Sequence, residues 1–183
     1  MIPVWLVRHG EAAAKWAEHP DPGLSDLGVQ QSERAADLLM SELSETVSII
    51  SSPKARAIET ARPLQQQLGV ELSVSPAYRE IEAPVPLEQR QDWLRGFMQQ
   101  HWSQQPEIQW QWRRGIISAM KAITEPTVIF THFLVINAAV AHCREADATL
   151  QCWPDNGSVH RFGVQQRRLT LESLGRQMQS PVG

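Results

Sequence analysis

The chain has 183 residues, 42% of them hydrophobic, which suits one globular domain with a single sizeable core and leaves little for a second. Its formal charge of −3, from 17 basic and 20 acidic side chains, includes no block of like charges, so neither a nucleic-acid nor a membrane partner is expected. Two cysteines, Cys143 and Cys152, are too few for a disulfide framework and read as reduced packing residues.

The apolar opening meets Arg8 and His9 too soon for a signal peptide, and no later stretch is long enough to span a bilayer, so a cytoplasmic location is expected. Short apolar runs then alternate with longer amphipathic stretches, the pattern of βαβ units. Residues 4–7 read as a first strand. Ser25 caps a helix whose inward stripe is Gly28, Ser32, Ala35, Ala36, Leu39 and Leu43. Residues 47–50 return as a strand, after which Ser52 is placed to cap a helix with Pro53 at its first position and Ala57, Ile58, Ala61, Leu64 and Leu68 as its buried stripe. Residues 70–74 follow as a third strand.

Residues 84–124 read as a helical insert, two helices separated by Ser103-Gln104-Gln105-Pro106 and rich in tryptophan: Trp93, Trp102, Trp110 and Trp112. Core packing is the expected role of these rings. A strand at 128–130, a helix at 134–143 and a hairpin of 159–162 with 169–171 complete the chain. The open edge of that hairpin would allow a homo-oligomer. The whole reads as a three-layer α/β/α domain over residues 1–183 with a mostly parallel central sheet.

Polar residues fall where these strands end: Arg8-His9, Ser51-Ser52 with Arg56, Tyr78-Arg79-Glu80, and Thr131-His132. Carboxyl ends of parallel strands line one edge, where ligands meet helix N-termini, so two arginines, two histidines and a carboxylate are expected around one pocket. Guanidinium forks match phosphate oxygens, and a neutral imidazole is a competent nucleophile toward phosphorus. A carboxylic acid is then needed to protonate the departing alkoxide and later to deprotonate water. Glu80 is placed for this, although Glu82 lies two residues on. His142 beside Cys143 lacks the spacing of a metal site, and with His19, His101 and His160 it is read as structural.

At these positions the sequence resembles the histidine phosphatase superfamily, the phosphoglycerate mutase-like family, in its branch of short phosphatase-type members. The matches are Leu6-Val7-Arg8-His9-Gly10-Glu11, Gly23-Leu24-Ser25-Asp26-Leu27-Gly28-Val29-Gln30-Gln31, Ser51-Ser52-Pro53-Lys54-Ala55-Arg56-Ala57-Ile58-Glu59-Thr60-Ala61, Tyr78-Arg79-Glu80 and Thr131-His132. The resemblance implies that His9 accepts the phosphoryl group, that Arg8, Arg56 and His132 bind it, and that Glu80 is the proton donor. It also adds Ser25 and Lys15 as substrate contacts, and it calls for no metal and no cofactor.

Four positions depart from the family pattern. Phe133 and Leu134 stand where many members have glycines, Asn137 where an arginine is frequent, and Lys15 where many carry an asparagine. Phe133 and Leu134 are expected to crowd the pocket. The implied activity is a phosphomonoesterase acting on a small phosphorylated metabolite or a phosphoprotein. A phosphoglycerate mutase-like phosphotransferase and a catalytically silent phosphate-binding or interaction module stay open beside it.

Overall fold

The computed structural model describes residues 1–14, 19–44 and 46–179. Among these, six strands form one sheet in the order β3-β2-β4-β1-β5-β6. The strands are β1 (Ile2–Arg8), β2 (Ser48–Ser51), β3 (Leu72–Val74), β4 (Thr127–Thr131), β5 (Val159–Gln165) and β6 (Arg168–Ser173). β1 to β4 pair in parallel, and β5 and β6 continue the sheet antiparallel, so the expected mostly parallel α/β sheet is found.

Alternation along the central strands splits the core into two faces, because successive side chains of a strand point opposite ways. Val4, Leu6 and Ile129 pack on one face against α3 (Arg90–Phe97), α4 (Glu107–Lys121) and α5 (Phe133–Arg144), with Phe97, Ile116, Met120 and Val135 fully buried. Trp5, Val7, Val128 and Phe130 face α1 (Asp26–Glu42) and α2 (Ala55–Leu68), meeting Ala35, Leu39, Ala61 and Leu64. The tryptophans behave as expected: Trp102 is buried, Trp93, Trp110 and Trp112 pack against the first face, and the Arg113 guanidinium lies 4.7 Å from the Trp102 ring centroid.

Ser25 caps α1, accepting a hydrogen bond from Gly28 N. Ser52 does not cap α2 and Pro53 is not its first residue. That helix begins at Ala55 after Lys54, and its first amide donates to the Asp21 carboxylate at 2.9 Å, while the Ser52 hydroxyl, short of the helix, accepts from Lys54 N and meets His132 Nε2. β3 starts two residues later than expected because Gly69, in the left-handed region at φ 65°, ends α2 and turns the chain outward. Between the two insert helices, Trp102–Gln104 forms a single 3-10 turn. The terminal hairpin turns on Gln166 and Arg167, both at positive φ, as a two-residue primed turn requires.

The loop after β1 packs on the first turn of α1 through two glycines. A Cβ on Gly10 would run into the Gly28 carbonyl, and one on Gly28 into the Glu11 carbonyl. Both obstacles are backbone and cannot rotate away. Gly28→Ala is therefore expected to cost ~1–3 kcal/mol and to lower the thermal midpoint by ~2–4 °C per kcal/mol, measured by thermal unfolding. An unchanged midpoint would mean that the two segments are free to separate.

Candidate active site

Hydrogen bonds continue the sheet past its carboxyl edge and aim the loops. His9 N donates to Thr131 O, Ser52 N to Phe130 O, and Ser75 N to Ser51 O. The segment bearing Glu80 is tied to β4 by Thr131 Oγ1, which donates to Tyr78 O at 2.8 Å. Four segments distant in sequence therefore end beside one another.

At their centre is His9, 7% exposed, with Nδ1 2.7 Å from the Gly10 carbonyl oxygen and Nε2 accepting from Arg56 Nε at 3.2 Å. The His132 ring stands edge-on to it, with centroids 5.3 Å apart, and its Nε2 meets Ser52 Oγ at 2.8 Å. Arg8 is anchored by donating to Pro154 O at 2.8 Å and lies over the Phe133 ring. Arg8 Nε and His132 Nδ1 are buried without a hydrogen-bond partner among the described residues.

Burial separates the two carboxylates. Glu80 is 7% exposed and accepts from Ile81 N and Leu134 N, whereas Glu82 points to solvent and pairs with Arg79 at 3.3 Å. Arg8, His9 and Glu80 line a cavity of about 510 Å³. Arg56 and His132 do not line it; they are reached through His9. Ser25 does not line it either, since its hydroxyl donates to the Glu11 carboxylate and accepts from α1. Lys15 lies outside the described residues.

Burial sets the charge states. It pushes the His9 imidazole well below its ordinary 6.5, with help from Arg56 and Arg8, and does the same to His132, aided by His9 and Arg56. It raises the Glu80 carboxyl above its ordinary 4.5, although two backbone N–H groups, Arg56 and Arg8 pull the other way. Arg8 is lowered to about 10 by burial, against the pull of Glu80, and remains a cation at neutral pH. Two neutral imidazoles, two guanidinium ions and a carboxyl that resists ionisation suit an incoming anion.

Phe133 and Leu134 form a wall of the cavity and leave it open. The Phe133 ring packs edge-to-face on Trp153 at 5.7 Å, and the Leu134 amide still reaches Glu80. Trp153 and Met178, also in that wall, were missed by sequence reasoning. Both lie in irregular chain with no periodic signal. Thr60, in the motif that follows β2, also joins the site: its hydroxyl accepts from Gly10 N and donates to Arg56 O.

A family model, that of the histidine phosphatase superfamily (branch 1), matches residues 4–177. The chain belongs to this superfamily. No curated protein matches the sequence at a significant level. Solved structures of similar fold include YhfR of Bacillus stearothermophilus, 20% identical with a TM-score of 0.77, covering 94% of this chain and 96% of that one. The phosphoserine phosphatase of Entamoeba histolytica, in complex with 3-phosphoglyceric acid, is 17% identical with a TM-score of 0.72 over 97% and 98% of the two chains. A mycobacterial glucosyl-3-phosphoglycerate phosphatase, complexed with VO3, is 20% identical with a TM-score of 0.70 over 95% and 98%. This histidine phosphatase superfamily member thus shares the fold of all three, and no helix among its described residues is long and apolar enough to cross a membrane.

The lowered histidines make stability depend on pH. In the unfolded chain each takes a proton near 6.5, which the folded site refuses, so their contribution is present above that value and lost as pH falls below it. Glu80 acts oppositely: its contribution is present below its unfolded value and lost as pH rises through its folded one. Comparing the wild-type chain with His132→Gln leaves Glu80 common to both. The fall in thermal midpoint from about pH 7.5 to about pH 5 should be smaller in the variant. An equal fall would mean that folded His132 carries a proton.

Proposed function

We propose that this chain is a metal-independent phosphomonoester hydrolase that carries the phosphoryl group on Nε2 of His9. The observation that carries this reading is the hydrogen bond at Nδ1. A carbonyl oxygen can only accept, so the proton of the neutral ring sits on Nδ1 and the lone pair on Nε2, beside Arg56.

In the first step, Nε2 attacks phosphorus while the bond to the ester oxygen breaks. Arg8, Arg56 and His132 hold the equatorial oxygens, a task for which fixed charges outside bulk water are most effective. The unpartnered Arg8 Nε–H supports this, because an oxyanion would give it an acceptor, as it would to His132 Nδ1 in the tautomer that donates from that nitrogen. Burial shifts the Glu80 carboxyl toward its protonated form, in which it passes its proton to the departing alkoxide. In the second step its carboxylate takes a proton from water as that water attacks the phosphohistidine, and inorganic phosphate leaves. Two guanidinium groups meet the charge that a metal ion would otherwise balance. Ser25 is left out of this scheme, its hydroxyl being committed to the helix cap.

The test is hydrolysis of phosphate monoesters in the presence of chelator. His9→Ala is expected to lose all turnover, and wild-type protein quenched during turnover to carry acid-labile phosphate. Glu80→Gln should slow alkyl phosphates by ~10²–10⁴-fold but aryl esters with good leaving groups far less, since these depart without a proton. Equal losses on both ester types would remove the acid role. Transfer of the group to a second alcohol in place of water would indicate a phosphotransferase, and binding of phosphate without any hydrolysis a silent module.

A further inference from the structure

Of the groups assigned to the phosphoryl chemistry, Arg8, His9 and Glu80 line the cavity. Its remaining walls are Leu94 and Met98 from α3 and the residue after it, Phe133 and Leu134 from the first turn of α5, and Trp153 and Met178 from the C-terminal segment. Arg90 and Gln91 are the polar side chains among the lining beyond Arg8, His9 and Glu80.

The C-terminal part of the wall is built in. Met178 N donates to Trp153 O at 2.6 Å, Gln177 bridges to Pro154, and the Arg8 guanidinium contacts both Pro154 O and Met178 Sδ. The cation that faces the phosphoryl group therefore also holds the apolar strap. At the rim, Leu87 is 42% and Met178 36% exposed, leaving apolar surface that a bound group would take out of water.

We propose that the alcohol part of the substrate is hydrophobic, an alkyl chain or ring system, and not a sugar, an amino acid or a short hydroxy acid. The inference rests on the phosphatase reading above and narrows its substrate class. A leaving group rich in hydroxyls or carboxylates would press them against apolar walls, where each unpaired polar group is penalised on binding. An apolar group meets no such penalty and buries Leu87, Leu94 and Met98 as it enters. The volume, about 510 Å³, accommodates a group well beyond the phosphate itself.

The experiment is a series of n-alkyl phosphates from ethyl to hexyl, with phosphoserine and glycerol phosphate alongside, so that all leaving groups are aliphatic alcohols. kcat/KM should rise ~4-fold per methylene, the equivalent of ~0.8 kcal/mol. The rise should come through KM with kcat nearly level, as expected of binding shared by ground and transition states. Leu94→Asn should flatten the slope, and Met98→Gln serves the same purpose if the first variant does not fold. A flat series, a preference for phosphoserine or glycerol phosphate over hexyl phosphate, or a slope unchanged in both variants would overturn the inference while leaving the phosphatase reading intact. Failure to hydrolyse any of these esters would instead remove the phosphatase reading and this inference with it.

Discussion

The hydrogen bond between His9 Nδ1 and the Gly10 carbonyl is the contact on which the rest of the site depends. It fixes the tautomer and the tilt of the ring, but it does so only while the Gly10 peptide stays put. Two contacts hold that peptide: Gly10 N donates to Thr60 Oγ1 at 3.0 Å, and the backbone lies against Gly28 with no space for a side chain. Thr60 in turn donates to the Arg56 carbonyl at 2.6 Å. One hydroxyl thus couples the loop that orients the imidazole to the helix turn that carries the guanidinium beside it. A shift in either would be felt by both.

Burial of this assembly is unfavourable by itself. Two cations sit next to a carboxyl that burial pushes toward its neutral form, and two imidazoles are kept from taking the protons they would hold in water. The fold tolerates this because backbone hydrogen bonds that continue the sheet hold His9, Ser52 and Ser75, and the cost falls on the side chains. On the proposed reading, an anion with several acceptor oxygens would offset this cost by pairing with guanidinium groups and by offering an acceptor to Arg8 Nε.

How much of this was legible in the sequence follows from the range of the forces involved. Strand and helix patterns are local, so the order of elements and the clustering of Arg8, His9, Arg56, Glu80 and His132 at strand ends could be read from periodicity and position. Ser52 was misassigned as a cap because its competitors are remote: His132 claims its hydroxyl across 80 positions, and Asp21 supplies the carboxylate to α2 across 34. Glu80 and Glu82 are equivalent on paper and are separated only by which side of the loop faces the core. Trp153 and Met178 belong to chain held by isolated bridges to other irregular chain, and such contacts leave no periodic trace.

The departures from the family pattern are coupled through this irregular segment. Asn137, where an arginine is frequent, is fully buried and turns its amide inward: Oδ1 accepts from Gln151 N at 2.6 Å and Cys152 N at 2.9 Å, and Nδ2 donates to Phe133 O. A longer cationic side chain at that position could not close these short bonds. By closing them, Asn137 draws the segment before Trp153 against α5, and Trp153 then stacks edge-on to Phe133, the residue that replaces a glycine. One change brings the aromatic partner to the wall and the other supplies the ring it packs on. Together they set an aromatic pair in the cavity wall, while the Leu134 amide keeps its hold on Glu80.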